Sequence, residues 1–216
     1  MYHYVTDKEF LSRLRQLCGE IMQDLCHYLS EDYDIGAISY LVGSGAKNLI
    51  VQNNTQPIDL DYNLEIVRCM DYSNHRTIKE CVRKAFNKVL NDRRLRDCDD
   101  STSSLTTKKM QFTEGNQTEF SMDVCIVHRD RNDVLYRLIH EKTGFYSGDR
   151  YYWNQAPNSA ELRKKADAIK RQGKWMLVRK QYLDIKNAYL RQNNHNHPSF
   201  ICYIEAVNNV YNALNI

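Results

Sequence analysis

Apolar residues recur along this chain with two different periods. From Thr6 to Leu29, Phe10, Leu14, Leu17, Ile21, Leu25 and Leu29 return every three or four positions. That spacing predicts an amphipathic helix, and Thr6 with Glu9 has the spacing of a capping box. The same period predicts a helix over Arg76 to Leu90, with Ile78, Val82, Phe86, Val89 and Leu90 inward. It also predicts helical stretches at Asn132 to Lys142, Ala160 to Gln172 and Trp175 to Gln192, and a last one with Pro198 in its first position and Ile201, Ile204, Val207, Tyr211 and Leu214 inward. Period two appears at Ala37 to Val42, Ile58 to Ile66, Ser104 to Phe112 and Glu119 to Val127, and predicts strands, the last two joined as a hairpin through Thr113 to Thr118. The fold class expected is therefore α+β: a mixed sheet backed by helices over residues 1–142, with a helical subdomain over 143–216.

Strand alternation gives the stretch from Leu41 to Ile66 its chemical interest. Ile58, Leu60, Tyr62, Leu64 and Ile66 share one face, and Asp59, Asp61, Asn63 and Glu65 share the other. Like charges at i and i+2, roughly 7 Å apart, repel unless a cation lies between them, and magnesium suits such hard oxygen donors. In Glu119 to Val127 the apolar face is Phe120, Met122, Val124 and Ile126, which leaves Asp123 on the opposite face with Ser121 and Cys125. If the two strands are neighbours, Asp59, Asp61 and Asp123 converge, a set able to hold two metal ions about 4 Å apart. Ahead of them, Gly43-Ser44-Gly45 follows a strand directly, as a turn whose backbone N–H groups suit phosphate. It is neither a Walker motif nor GxGxxG. Lys47 either reaches a phosphate or faces water.

Gly-Ser, a spacer, Asp-x-Asp in a strand and a lone Asp in a later strand together resemble the DNA polymerase β-like nucleotidyltransferase superfamily, over roughly residues 37 to 127. The resemblance implies that Gly43 and Ser44 hold the triphosphate of an NTP substrate, with Gly45 and Lys47 of the same turn as further nucleotide-binding candidates. It also implies that Asp59, Asp61 and Asp123 bind two Mg²⁺ or Mn²⁺ ions and are the catalytic residues. The activity implied is transfer of NMP to an acceptor hydroxyl with release of pyrophosphate. The spacer of fourteen residues between Ser44 and Asp59 is slightly long for that superfamily.

Composition narrows the rest. A hydrophobic content of 42% and 26% charged residues are those of an ordinary globular chain. No apolar run is long enough for a membrane span, and the first residues lack the pattern of a signal peptide, so a cytoplasmic protein with no membrane partner is expected. Seven cysteines without a CxxC pair support neither a disulfide framework nor structural zinc. Residues 159–192 hold ten basic side chains against three acidic ones, a local excess that suits either a solvated helix face or a polyanion; on the second reading, with the aromatic run that follows Thr143, it favours RNA or a tRNA end as acceptor, with a second nucleotide as the other candidate. The alternative to an enzyme is a non-catalytic module of the same fold that binds RNA or nucleotide.

Several smaller features have two readings. Tyr146, Tyr151, Tyr152 and Trp153 suit base stacking or the packing of two subdomains. Arg93, Arg94 and Arg96 suit phosphate or solvent, Asp149 and Arg150 pair, and His195 with His197 forms an HxH turn.

Overall fold

The computed structural model describes residues 1–194 and 197–216, without the side chain of Tyr146. In chain order the elements are β1 (Tyr2–Tyr4), α1 (Lys8–Tyr33), β2 (Gly36–Leu41), α2 (Gly43–Ala46), β3 (Val51–Asn53), β4 (Ile58–Arg68) and α3 (His75–Asp92). There follow β5 (Asp99–Asp100), β6 (Leu105–Thr106), β7 (Phe120–Arg129), β8 (Leu135–Glu141), β9 (Arg150–Gln155), α4 (Ala160–Arg171), α5 (Trp175–Arg191) and α6 (Ser199–Leu214). They belong to two compact units. One comprises residues 7–42 and 57–156; the other comprises 1–6, 43–56 and 157–216. The boundary drawn at residue 142 thus falls between β8 and its partner strand β9, both within the first unit.

The first unit is a mixed sheet with helices on one face. Its strands run β2-β4-β7-β6-β5, with β8 paired to β7 and β9 to β8. The β4–β7 pair is parallel and the others are antiparallel. The expected alternation in β4 holds: Ile58, Leu60, Tyr62, Leu64 and Ile66 are buried. Phe10, Leu14, Cys18, Ile21, Met22, Leu25 and Leu29 of α1 and Ile78, Val82, Ala85, Phe86, Val89 and Leu90 of α3 complete this core, where the Phe10 and Phe120 rings meet edge to face at 6.3 Å. The cap of α1 is Asp7, whose Oδ1 accepts from Phe10 N–H at 2.9 Å, in place of Thr6.

Two expectations for this unit fail. Asn132 to Lys142 is no helix: Asp130 accepts from the Asn132 and Val134 N–H groups, both at 2.9 Å, and Asp133 turns left-handed, so the chain reverses into β8. A side chain that binds nearby backbone in this way competes with helix formation. The hairpin of Ser104–Phe112 is reduced to β6 and a single bridge from Met110 to Phe120, and β7 takes its longest pairing from β4.

In the second unit, β1 pairs with β3 and α4, α5 and α6 enclose a core of Leu49, Ile169, Val178, Tyr182, Cys202, Ala206 and Val207. The inward face of α6 is Cys202, Tyr203, Ala206, Val207 and Val210, and Ile201 is exposed. Pro198 stands one position earlier than expected, as the N-cap. Among its basic residues, Arg179 lies over the Tyr4 ring, Lys186 over Tyr2, Lys165 over Tyr211, Lys164 pairs with Glu161, and Lys170 with Asp167, while Arg163, Arg171, Lys174, Lys180 and Arg191 are exposed. Asn187 closes the end of β1, accepting from Tyr2 N–H at 2.8 Å and donating to Tyr2 O at 3.0 Å. No described helix is long and apolar enough to cross a membrane.

Candidate active site

The parallel pairing of β4 and β7 places the aspartates. Asp59 stands opposite Ser121, Asp61 opposite Asp123 and Asn63 opposite Cys125. Adjacent strands lie about 4.8 Å apart, so the three carboxylates occupy neighbouring positions on the sheet face away from the apolar core. Farther along the same face Glu65 is buried and neutralised, accepting from Tyr40 O–H at 2.8 Å and lying 3.3 Å from Arg129 Nε. Val42 at the end of the β2 segment donates its N–H to Asp61 O at 2.8 Å, and the chain passes directly from Val42 into Gly43.

Two hydroxyls orient the acids. Ser121 donates to Asp59 Oδ1, and Thr106, opposite Asp123 on β6, donates to Asp123 Oδ1. Burial pushes the Asp123 carboxyl above the usual range, the Thr106 bond opposes this, and the negative charge of Asp59 adds to the rise. Burial likewise raises the Cys125 thiol; Arg137 opposes, and Asp123 and Asp61 reinforce. These couplings mark one shared electrostatic patch. Sequence reading missed Ser121 and Thr106 as partners, although Ser121 sits two residues before Asp123 and so shares its face.

Among the described residues, no three His, Cys, Asp or Glu side chains are gathered closely enough to hold a metal ion. Asp59 and Asp123 turn to their hydroxyl partners instead. The donor set nonetheless fits a hard divalent cation: it is all carboxylate oxygen, and the mutual repulsion felt at Asp123 is what such a cation relieves. Asp59, Asp61 and Asp123 are the residues that would hold it.

The glycine-serine segment belongs to the other compact unit and is described by itself. It forms the single turn α2, with Gly43 at φ 60°, where a side chain is strained. Ser44 O accepts from the N–H groups of Lys47 at 3.2 Å and Leu49 at 3.0 Å. Lys47 Nζ donates to Gly43 O at 2.9 Å and lies 5.1 Å from the centre of the Tyr203 ring, and Trp175 Nε1 donates to Lys47 O at 3.2 Å. Lys47 therefore braces its own turn.

The aromatic run divides by strand alternation. Tyr151 stacks on His140 at 4.1 Å, and Trp153 donates to Tyr72 O at 3.0 Å, so both are packing residues; Tyr152, on the opposite face of β9, stays 40% exposed. Tyr146 is outside the described side chains, and His195 is outside the described residues, which leaves the HxH pair undescribed. Arg150 pairs with Glu141, and Asp149 turns to His140.

That last contact belongs to a buried polar network unforeseen in the sequence. Lys79, 1% exposed, lies 2.7 Å from Asp100 Oδ1 as an ion pair without hydrogen-bond direction and donates to Ser101 O at 2.8 Å. The two ring nitrogens of His140 face Asp100 Oδ2 at 2.7 Å and Asp149 Oδ2 at 3.0 Å. Burial raises Asp100, but Lys79 and then His140 hold it below the usual carboxylate range. Asp149 is held low by the Thr143 N–H and by His140.

No protein-family model and no curated protein matches the sequence. Solved structures match at the level of fold. The cyclic AMP-GMP synthase DncV of Vibrio cholerae, in complex with nonhydrolyzable GTP, aligns with TM-score 0.60 and 12% identity over 84% of this chain and 61% of its own. The same synthase with the linear intermediate 5′ pppA(3′,5′)pG aligns with TM-score 0.58 and 12% identity, over 83% and 63%. CdnC of E. coli MS115-1, with ATP, aligns with TM-score 0.55 and 17% identity, over 94% and 61%. The chain spans about three fifths of the length of these structures and shares the nucleotidyltransferase fold that carries their nucleotides.

Proposed function

We propose that this chain is a metal-dependent nucleotidyltransferase that moves a nucleoside monophosphate from an NTP to the hydroxyl of a second nucleotide and releases pyrophosphate. The observation that carries this reading is the register of Asp61 against Asp123, with Asp59 close enough to raise the Asp123 carboxyl. The fold shared with proteins that hold GTP, ATP and a linear dinucleotide supports it. A nucleotide acceptor is preferred to RNA because structures of the same fold hold a nucleotide or a linear dinucleotide, and because Arg179, Lys186 and Lys165 of the stretch that suggested RNA lie over rings of their own unit.

Asp59, Asp61 and Asp123 bind the cation, which when present supplies neutralisation of phosphate charge and acidification of the attacking hydroxyl. Ser121 and Thr106 hold Asp59 and Asp123 in place by their hydroxyl bonds. The backbone N–H groups of Gly43 to Gly45 and the Ser44 hydroxyl take the leaving phosphates, and Lys47 keeps that turn rigid. Asp123, its carboxyl raised by burial, holds the cation or accepts the proton of the acceptor hydroxyl.

Each α-labelled NTP, alone and in pairs, incubated with Mg²⁺ or Mn²⁺ tests the reading. The expected result is pyrophosphate release and a labelled oligonucleotide product, both lost in Asp59→Ala/Asp61→Ala. Nucleotide binding with no release under any pairing would sink the enzyme reading in favour of the binding module. Label found only on added RNA would overturn the acceptor.

A further inference from the structure

The end of α3 and the segment after β6 enclose a cavity of 130 Å³, lined by Leu90, Arg94, Leu95, Arg96, Thr107, Lys108, Lys109 and Met110. Its chemistry is sharply divided. Leu90, Thr107 and Met110 are buried and form an apolar floor with one hydroxyl; Arg94, Arg96 and Lys109 are exposed. Thr107 Oγ1 accepts from Met122 N–H at 2.9 Å, and its own proton has no acceptor among the described residues.

The cations fall into two pairs. Lys108 lies 2.5 Å from Asp99 and Lys109 lies 3.4 Å from Glu119, surface pairs that exchange readily for another anion. Arg94 and Arg96 have no ion-pair partner among the described residues. Their position is set by the way α3 ends: Leu95 N–H donates to Leu90 O at 2.8 Å and Arg94 N–H to Asn91 O at 2.9 Å, a Schellman arrangement. Its left-handed position, where glycine is usual, is held by Arg94 at φ 59°. Two planar, multiply donating guanidiniums beside an apolar floor suit bidentate recognition of phosphate on an organic body.

We propose that this cavity is a second anion site, separate from the aspartate face, for a small molecule that carries two or more phosphate charges on an apolar or aromatic body. The phosphates meet Arg94, Arg96, Lys108 and Lys109, and the body rests on Leu90, Leu95 and Met110 beside the Thr107 hydroxyl.

Calorimetric titration of the full chain with inorganic pyrophosphate and with adenosine 5′-diphosphate tests this, in low salt with EDTA. Without metal the aspartate face repels both probes. Both are expected to bind one to one, the diphosphate nucleotide more tightly. Arg94→Gln/Arg96→Gln should weaken both by about tenfold or more, since each lost charge-assisted pair is large on that scale. Asp61→Asn should leave both unchanged. All substituted side chains are exposed or half-buried, and circular dichroism verifies that the variants fold. The proposal is overturned if neither probe binds up to about 1 mM, the weak end of specific affinity. It is equally overturned if the arginine variant binds as the wild type does, if binding follows Asp61→Asn instead, or if the nucleotide gains nothing over pyrophosphate.

Discussion

Asp123→Asn separates stability from function at the aspartate face. Asparagine keeps the shape and retains an amide oxygen to accept the Thr106 hydroxyl, so the substitution removes one charge and little else. Asp61 stands in register on the neighbouring strand, and Asp59 already raises Asp123. For carboxylates about 6 Å apart the repulsion is ~3 kcal/mol at an effective dielectric of 20 and ~0.7 kcal/mol in bulk water. With Asp59 exposed and Asp123 half-buried, about 1 kcal/mol is the working figure. In metal-free buffer the variant should therefore melt roughly 2–4 °C higher than the wild type, given the size of the chain. Magnesium should reverse the order. A cation at ten times its Kd stabilises the wild type by about 1.4 kcal/mol through mass action, and the variant by much less. Differential scanning calorimetry in EDTA and across a magnesium series reads both effects. A variant that melts below the wild type in EDTA, or a magnesium shift equal in the two proteins, would refute the reasoning that these carboxylates form one cation site.

The buried network gives a second expectation: Lys79→Met should cost about 3 kcal/mol because Asp100 loses its ammonium partner, and adding Asp100→Asn should recover part of it, as urea melts of the double-mutant cycle would show. Acid should act through the carboxylates held low. Asp7, Asp100 and Asp149 have folded values below their unfolded ones, so the stability they provide is complete above the unfolded carboxylate range and is lost as pH falls through the folded values. Urea midpoints followed downward from about pH 6 should fall below about pH 4, less steeply in Asp149→Asn; an identical slope would count against the network. Phe120→Ala, which removes a fully buried ring packed on Phe10 and Phe112, should destabilise by about 3–5 kcal/mol in the same assay.

What the sequence disclosed follows from which forces are local. The faces of β4 and β7 were legible because alternation alone puts Asp59 and Asp61 opposite Leu60 and Tyr62, and Asp123 opposite Met122 and Val124. The α1 and α3 stripes were legible for the same reason. The segment after Asn132 was misread because a turn held by the Asp130 side chain decides it, and because β8 is fixed by backbone pairing with the strands on either side of it, β7 and β9, which a helical spacing of apolar residues does not register. The roles of Ser121 and Thr106 depend on the order of strands β4-β7-β6, which no local pattern announces. Lys79 read as one more polar position on a helix, and only pairing with residues 21 and more positions away shows why a lysine is buried there.

The way the two compact units share the chain has a consequence for biosynthesis. Residues 7–42 and 57–156, which carry all three aspartates, leave the ribosome before the three long helices of the other unit exist. Tyr2 waits for Asn187, which closes both ends of its hydrogen-bonding and follows it by 185 positions. At ordinary elongation rates that is a wait of roughly 10–40 s. During it the N-terminal strand and the Gly43–Ala46 turn lack the core residues Val178, Tyr182 and Ala206 that shelter their unit. A nascent chain halted shortly after Ala156 would thus present the acidic face already built while the glycine-serine turn still awaits the helices that support it.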